Sequence, residues 1–166
     1  MLIEKIKARF GAEILDAQNE RDEETFTIDR DRAYDFFRTL RDDPDFQFNF
    51  LTDVTAVDWL DRKPRFDVVY QLNSLTLAHR IRVKIGVDGA DPWVHSVVGV
   101  WGAADWLERE CFDMFGVEFR GHPDLRRILM YDSFEGHPLR KDYLYNNRQP
   151  IVPETDPVVH PIHSSR

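Results

Sequence analysis

Several features that would mark a membrane, redox or nucleotide-binding protein are missing from this chain of 166 residues. Cys111 is the only cysteine, which excludes an intramolecular disulfide, a cysteine-based zinc site and iron–sulfur ligation by this chain alone. No apolar run approaches the roughly 18 residues of a membrane-spanning helix, and the N-terminus does not have the pattern of a signal peptide. Neither a glycine-rich phosphate loop nor a GxSxG elbow is present. The sequence therefore shows no active-site motif.

Positive charge is also in short supply. The chain has 22 Lys and Arg against 30 Asp and Glu, for a net charge of −8. This balance argues against general affinity for nucleic acid or for an anionic bilayer, since both favour a cationic protein face. Residues 119–148 are the exception, with six basic against four acidic side chains. A mildly basic module on an acidic body suggests docking to an acidic protein surface, and chance clustering is the alternative.

The spacing of apolar residues predicts a small α+β domain. Helical spacing appears in three stretches, around residues 2–10, 33–40 and 103–115. Strand-like alternation appears in four others, at 13–28, 48–59, 66–72 and 75–85, with a turn at Asn73-Ser74 between the last two. We expect helices packed on a small antiparallel or mixed sheet over residues 1–145, followed by an extended, proline-rich C-terminal tail over 146–166.

The third predicted helix has two faces. Its apolar positions share one stripe that should face the core, namely Ala104, Leu107, Cys111, Met114 and Phe115. A second stripe holds Trp106, Arg109, Glu110 and Asp113. Arg109 lies four residues before Asp113 and is expected to pair with it, while Gly116 is a natural residue to end the helix. Glu108 and Glu110 are two residues apart and should point in different directions, which disfavours a shared metal ligand.

Two similar loops follow this helix. Gly121-His122-Pro123 is echoed by Gly136-His137-Pro138, and arginines follow both copies. Proline favours extended backbone before it, so each loop should present imidazole and guanidinium groups rigidly, a composition suited to binding a partner's carboxylate. A free-standing enzyme using Glu110, Asp113 and His122 as acid–base groups is the rival interpretation. It predicts a deep pocket around a strongly perturbed carboxylate or imidazole.

The same stretch resembles a known family. The matching residues are Glu108-Arg109-Glu110, Asp113-Met114-Phe115, His122, Arg126 and Ile128-Leu129, followed by PLRKDY at 138–143. Upstream, RFDVVYQLNSL, RIRVKI, Ser96 and the segment between Trp101 and Trp106 are also similar. Together they resemble the 30-kDa subunit of proton-pumping NADH:quinone oxidoreductase, or respiratory complex I. Cys111-Phe112 departs from this pattern, because the family usually has a small residue followed by Tyr there.

The resemblance implies a component without a redox centre in the peripheral arm of the complex. Its expected partners are the quinone-site subunit, the subunit with the terminal iron–sulfur cluster and the ferredoxin-like subunit. FMN, iron–sulfur clusters, NADH and quinone would be bound by other subunits, and this chain would bind no cofactor and no metal. It would lie on the cytoplasmic side of the bacterial inner membrane, attached only through the complex. We therefore expect the complex to be an enzyme, a translocase, and the isolated chain to be non-catalytic.

The expected interface residues come from the matching positions, and none of them is expected to be catalytic. Arg109 and Asp113 should fix the helix, while Glu108 and Glu110 should reach the following loop or a neighbour. A docking surface is predicted from the basic and imidazole side chains of the two loops, namely His122, Arg126, Arg127, His137, Arg140 and Lys141. Related subunits occur in membrane-bound nickel–iron hydrogenases, formate hydrogenlyase and F420H2- or ferredoxin-driven dehydrogenases, which are alternatives. A soluble adaptor unconnected to respiration is another.

Overall fold

The computed structural model describes residues 2–21, 23–146 and 148–149. The α-helices of this part are α1 (Leu2–Phe10), α2 (Ala33–Asp42) and α3 (Ala104–Phe115), and short 3-10 helices occur at Gly11–Glu13 and Arg30–Arg32. The strands are β1 (Ile14–Glu20), β2 (Glu23–Ile28), β3 (Phe50–Asp58), β4 (Phe66–Ser74), β5 (His79–Val87), β6 (Trp93–His95) and β7 (Glu118–Arg120). The prediction of an α+β fold with three helices is confirmed.

Five strands form one mixed sheet in the order β1-β2-β5-β4-β3. The consecutive strands β3, β4 and β5 are an antiparallel meander, and β1 and β2 are an antiparallel hairpin. The hairpin joins the meander through a parallel pairing of β2 with β5, in which Phe26 lies opposite Val83. The short strand β6 precedes α3 in the chain and β7 follows it. The two pair in parallel and form a separate two-stranded sheet.

Helices α1 and α2 cover one face of the large sheet, which we call the inner face. The four fully buried residues of α2 share one face of the helix, and all are apolar: Ala33, Phe36, Phe37 and Leu40. The Phe37 ring lies 4.5 Å from that of Tyr70 on β4 and 5.7 Å from that of Trp101. Because these aromatic rings interdigitate between helix and sheet, their burial is the main stabilising contribution to this half of the molecule.

Strand β4 differs from the simple alternation that the sequence predicts. Its first five residues, from Phe66 to Tyr70, are all buried, so both faces of this end are covered. On the outer face, Trp59 donates its indole N–H to Asp67 (2.9 Å), and Arg62 forms an ion pair with the same carboxylate. The predicted turn at residues 73–74 is also displaced, because β4 continues to Ser74 and the chain turns at 75–78 instead.

Helix α3 packs against the edge strand β3, and the chain after β7 has neither helix nor strand up to residue 146. This stretch, residues 121–146, is called the anchored segment below. Of the predicted tail, only residues 146, 148 and 149 are described, and the rest of that prediction lies outside the described residues. Among the helices that the structure describes, none combines the length and the apolar character that a membrane crossing would require.

Candidate docking site

Helix α3 ends abruptly at Gly116, whose φ of +71° is a left-handed conformation that glycine adopts without strain. The Gly116 N–H closes the last turn on the Phe112 carbonyl at 2.8 Å. A side chain at this position would collide with the imidazole of His137 and the guanidinium of Arg140. The glycine therefore both stops the helix and leaves room for the anchored segment to pack on its C-terminal end.

Asp113 is completely buried near this end and binds the anchored segment. One carboxylate oxygen accepts the backbone N–H groups of Ile128, Leu129 and Met130 at 3.1, 2.8 and 2.9 Å, and the other accepts Arg127 Nη1 at 2.7 Å. Burial opposes ionisation, but these donors outweigh it and hold the pKa of Asp113 below its ordinary value. The carboxylate thus acts as a fixed anion around which residues 127–130 fold.

The predicted pairing of Arg109 with Asp113 is wrong. Arg109 instead donates to the carbonyl oxygens of Arg126 (3.2 Å) and Arg127 (3.3 Å), whereas Asp113 pairs with Arg127. The spacing of four residues would allow a pair along the helix, but a carboxylate that is already buried against four donors of another segment has no exposed oxygen for it. Both side chains therefore bind the anchored segment rather than each other.

Glu108 was expected to reach the following loop or a neighbour, and the structure corrects this. Its carboxylate is fully buried and points to the segment before α3, where it accepts Ser96 Oγ–H and Val97 N–H, both at 2.7 Å. Glu110 is exposed, so the prediction that these two side chains point apart is confirmed. Of these two carboxylates, only that of Glu110 lies on the surface.

His137 and Arg140 bind the carbonyl groups that the end of α3 leaves without partners. A ring nitrogen of His137 lies 2.9 Å from the Asp113 carbonyl oxygen, and Arg140 Nε donates to the Phe115 carbonyl at 2.5 Å. Burial lowers the pKa of His137. A cation at a helix C-terminus is stabilised by the helix dipole. Arg140, predicted as a surface residue, is thus a helix cap with its guanidinium partly buried.

A second buried carboxylate, Asp58 at the end of β3, holds the far end of the anchored segment. It accepts Arg65 Nε and Nη2 at 2.9 and 2.7 Å and the backbone N–H of Lys141 at 2.9 Å. The Arg65 guanidinium also pairs with Asp142 at 2.8 Å. These donors, Arg65 first, hold the pKa of Asp58 well below its usual range against the effect of burial.

Sequence reasoning missed Asp58. The available signal was its position: Asp58 follows Leu51, Val54 and Ala56 on the inner face of β3, where a carboxylate needs a buried partner. The partner segment lies about eighty residues later, which spacing along the chain does not indicate.

His122 is also directed inward. Its side chain is inaccessible, Nδ1 accepts the Asp124 N–H at 3.0 Å, and Nε2 lies 3.1 Å from the Asp105 carbonyl oxygen. Because Nδ1 is the acceptor, Nε2 carries the proton in the neutral ring. Both nitrogens are therefore occupied by partners within the chain.

The rival acid–base site fits these contacts poorly. Asp113 is saturated by four donors, His122 has no free ring nitrogen, and Glu110 is exposed. A large surface cavity of the described chain lies elsewhere, between Leu2, Glu24 and Arg80. Among the described residues, no group of three or more His, Cys, Asp or Glu side chains is arranged to hold a metal ion.

The outward side of this region displays apolar and basic groups. Arg126 has 71% of its side chain exposed, and Lys141 is exposed as well. Five large apolar residues of the anchored segment face solvent, namely Leu129, Tyr131, Leu139, Leu144 and Tyr145. Trp106 on α3 is 68% exposed. Of the six predicted docking residues, His122, Arg127, His137 and Arg140 are thus partly buried against the chain itself, whereas the side chains of Arg126 and Lys141 are exposed, that of Arg126 beside the exposed Asp124.

The fold and this region define an α+β chain whose long irregular segment is held by buried charges. Residues 26–149 match the family described as the 30-kDa subunit of respiratory-chain NADH dehydrogenase, and the chain belongs to that family. It is 50% identical over 139 residues to the C-type subunit of NADH-quinone oxidoreductase from Citrifermentans bemidjiense, covering 84% of this chain and 85% of the relative. The corresponding protein of Geobacter sulfurreducens is 51% identical over 140 residues, with the same coverage of both chains.

Two solved structures are also similar. The trypsin-resistant fragment (1–134) of Nqo5 superposes with a TM-score of 0.65 and 31% identity, over 75% of this chain and 96% of the fragment. A chain of the membrane-bound sulfane sulfur reductase, an archaeal respiratory membrane complex, superposes with a TM-score of 0.73 and 25% identity, over 87% of this chain and 85% of the other. The expected resemblance to the 30-kDa subunit family is confirmed.

Proposed function

We propose that this chain is a structural component, without a redox centre, of the peripheral arm of a proton-translocating NADH:quinone oxidoreductase. Its relatives are named as subunits of that enzyme, and its described residues provide anchoring contacts where an active site would need free groups. In this proposal it supports electron transfer from NADH to quinone by holding other subunits in place. FMN, iron–sulfur clusters and quinone are then bound by those subunits, and the isolated chain is non-catalytic.

The anchored segment is the proposed docking surface. The observation that supports it most strongly is that residues 121–146 have no helix or strand, yet Arg109, Asp113 and Asp58 bind their backbone. Arg140 of the segment in turn binds the end of α3. A segment that is fixed in this way while its Leu and Tyr side chains point outward loses little conformational entropy on association. Exposed aromatic, leucine and arginine side chains are also suited to the centre and rim of a protein interface.

The chemistry of this surface specifies its partner. Apolar groups from Leu129 and Leu139 lie in the same segment as the exposed cations Arg126 and Lys141, so the complementary surface is apolar and bordered by carboxylates. We assign that surface to the quinone-site subunit, with the terminal iron–sulfur subunit and the ferredoxin-like subunit as further neighbours. The chain then lies on the cytoplasmic side of the bacterial inner membrane and is attached to it only through the complex.

The test is co-purification of tagged full-length variants from gently solubilised membranes of the native host. Arg126→Glu combined with Lys141→Glu reverses two exposed charges without removing a backbone contact, and it should abolish recovery of the iron–sulfur and quinone-site subunits. Lys5→Glu with Lys7→Glu on α1 makes the same charge change on exposed residues elsewhere and should leave recovery unchanged. Equal recovery of both double variants would refute the docking surface. Arg140, although also predicted to dock, is left unchanged in this test, because its replacement would remove the cap of α3.

An equivalent role in another complex is the second candidate. It is favoured by the similarity to a chain of the archaeal sulfane sulfur reductase complex and would place the protein in a hydrogenase- or ferredoxin-driven assembly. The same purification distinguishes the two. NADH:quinone activity in the recovered material supports the first proposal, and a nickel–iron subunit supports the second. Recovery of the chain alone from the soluble fraction would contradict both.

A further inference from the structure

Glu108 is a buried carboxylate whose hydrogen bonds come only from neutral groups. It lies in the middle of α3 with no exposed surface, and its donors are the Ser96 hydroxyl and the Val97 backbone N–H. Among the described residues that act on its charge there is no Lys, Arg or His. Asp113, five residues later and equally buried, has Arg127 and three backbone N–H groups. The same helix thus carries one compensated and one uncompensated carboxylate.

Of the other titratable groups near Glu108, one disfavours its ionisation and two are neutral side chains. Asp105 lies one turn earlier on α3 and repels a second negative charge, and Cys111 is a buried thiol on the same helix. From the sheet, the Tyr70 hydroxyl is buried without a hydrogen-bond partner among the described residues. Burial is the largest effect and raises the pKa of Glu108 from 4.5 to about 7 against the donors Ser96 and Val97, with a smaller contribution from the repulsion of Asp105.

We propose that Glu108 is an internal proton-binding site and that its protonation determines how firmly the turn before α3 is held to that helix. The turn is built on Val97, whose carbonyl oxygen accepts the N–H groups of Val100 and Trp101 at 2.8 Å each. Ser96 also joins it to β7, since its N–H donates to the Arg120 carbonyl at 2.9 Å. Glu108 therefore connects α3, this turn and the small sheet at one point.

The positions of the heavy atoms accommodate the proton, and only the Ser96 hydroxyl hydrogen has to turn. In the ionised form Ser96 Oγ–H donates to the carboxylate, whereas in the neutral form the carboxyl O–H donates to Ser96 Oγ at the same 2.7 Å separation. The Val97 N–H bond is retained in both forms. Loss of the proton leaves an uncompensated charge in the core, so the turn is held less firmly once the pH exceeds about 7.

The direction of the pH effect follows from linkage. Since the pKa of Glu108 is higher in the folded chain than in the unfolded one, its contribution to stability is fully present below pH 4.5 and is lost as the pH rises through about 7. Such a difference in pKa corresponds to a change on the order of 100-fold in the folding equilibrium constant. The effect is opposite to that expected for Asp113, whose pKa is lowered.

The test is a carboxyl-carbon NMR titration of the full chain labelled at its glutamate side chains, with the Glu108 signal assigned by its loss in Glu108→Gln. The signal should titrate near pH 7. Ser96→Ala removes a donor to the ionised form and should move the midpoint upward, while Glu110→Gln at the exposed neighbour should not move it. A Glu108 midpoint below 5, or one unaffected by Ser96→Ala, would overturn the proposal.

A second measurement does not need the signal assignment. The ratio of the folding equilibrium constants of Glu108→Gln and the wild type, from denaturant unfolding between pH 5.5 and 8.5, should rise on the order of 10-fold or more, because only the wild type loses stability. A ratio that stays constant over this range would also contradict the proposal. Both measurements use the isolated chain, so they do not depend on the docking role.

Discussion

The five-stranded sheet and the anchored segment are held together by different forces. In the sheet, α1 and α2 bury aromatic and aliphatic side chains, and backbone groups pair with other backbone groups across the strands. In residues 121–146, the backbone is held by side chains of the preceding body, above all by Asp113 and Asp58. A few buried charges can thus fix a long irregular segment, but each of them matters more to that segment than a single apolar contact does to the sheet.

The sheet with its covering helices should show the largest effect of a single substitution. Phe37→Ala removes a fully buried ring that contacts Tyr70 and Trp101, and it should lower the free energy of unfolding by ~3–5 kcal/mol. Phe50→Ala, at a half-exposed ring on β3, should lower it by less than about 1 kcal/mol. Denaturant unfolding measures both. Similar losses for the two variants would contradict the view that burial on α2 dominates this half.

The anchored segment should unfold locally when the buried charge of Asp113, which binds it, is removed. Asp113→Asn leaves Arg127 buried without an anion and should lower the free energy of unfolding by about 3 kcal/mol. Amide exchange should accelerate at residues 128–130, which donate to this carboxylate, more than in β4 and β5. Glu110→Asn is the matched control on the exposed face. Uniform acceleration over the whole chain would mean that the segment and the sheet unfold as one unit.

Low pH should weaken the anchored segment through Asp113. The pKa of Asp113 is lowered in the folded chain, so its contribution to stability is present above the unfolded pKa of 3.8 and is lost as the pH falls through the folded value. Below pH 4, the wild type should therefore lose stability relative to Asp113→Asn. Unfolding midpoints of the two proteins between pH 2.5 and 6 measure this difference. A constant difference between them over this range would show that folding does not lower the pKa of Asp113.

A smaller effect is expected at the junction of the two halves. Gly116→Ala places a methyl group at a positive φ and against His137 and Arg140, and it should lower the free energy of unfolding by ~1–2 kcal/mol. Gly102→Ala, where no atom lies within 4 Å of the added carbon, should change it by less than about 0.5 kcal/mol. Thermal unfolding of both variants tests this. Equal losses would show that the packing on the end of α3 contributes nothing.

The smallest effect belongs to the outer rim. Arg126→Ala removes an ion pair with Asp124 whose two side chains are both mostly exposed, and it should change the stability of the isolated chain by less than about 0.5 kcal/mol. If the docking proposal holds, the same variant should weaken co-purification of the partner subunits. A large loss of stability in the isolated chain would instead give Arg126 a role within the fold.

Periodicity predicted the sheet half well because its apolar residues are placed by local geometry. The spacing of Ala33, Phe36, Phe37 and Leu40 predicts the buried face of α2, and Gly116 predicts the end of α3. The anchoring contacts were less predictable, because Asp58 binds a residue 83 positions later and Asp113 binds residues 14–17 positions later. The assignment of Asp113 to a polar helix face failed for this reason: the group that covers it comes from elsewhere in the chain.

The parallel pairing of β2 with β5 also affects how the chain is made. The β1–β2 hairpin leaves the ribosome first, but its partner strand starts only at His79, after most of the meander has been translated. At the usual 5–20 residues per second, Phe26 and Ile28 remain without their final neighbour for roughly 3–11 seconds. During that time the hairpin of the nascent chain has an unpaired hydrophobic edge, which can aggregate or be bound by chaperones. Once β5 has been synthesised, it can pair with β2 and cover that edge.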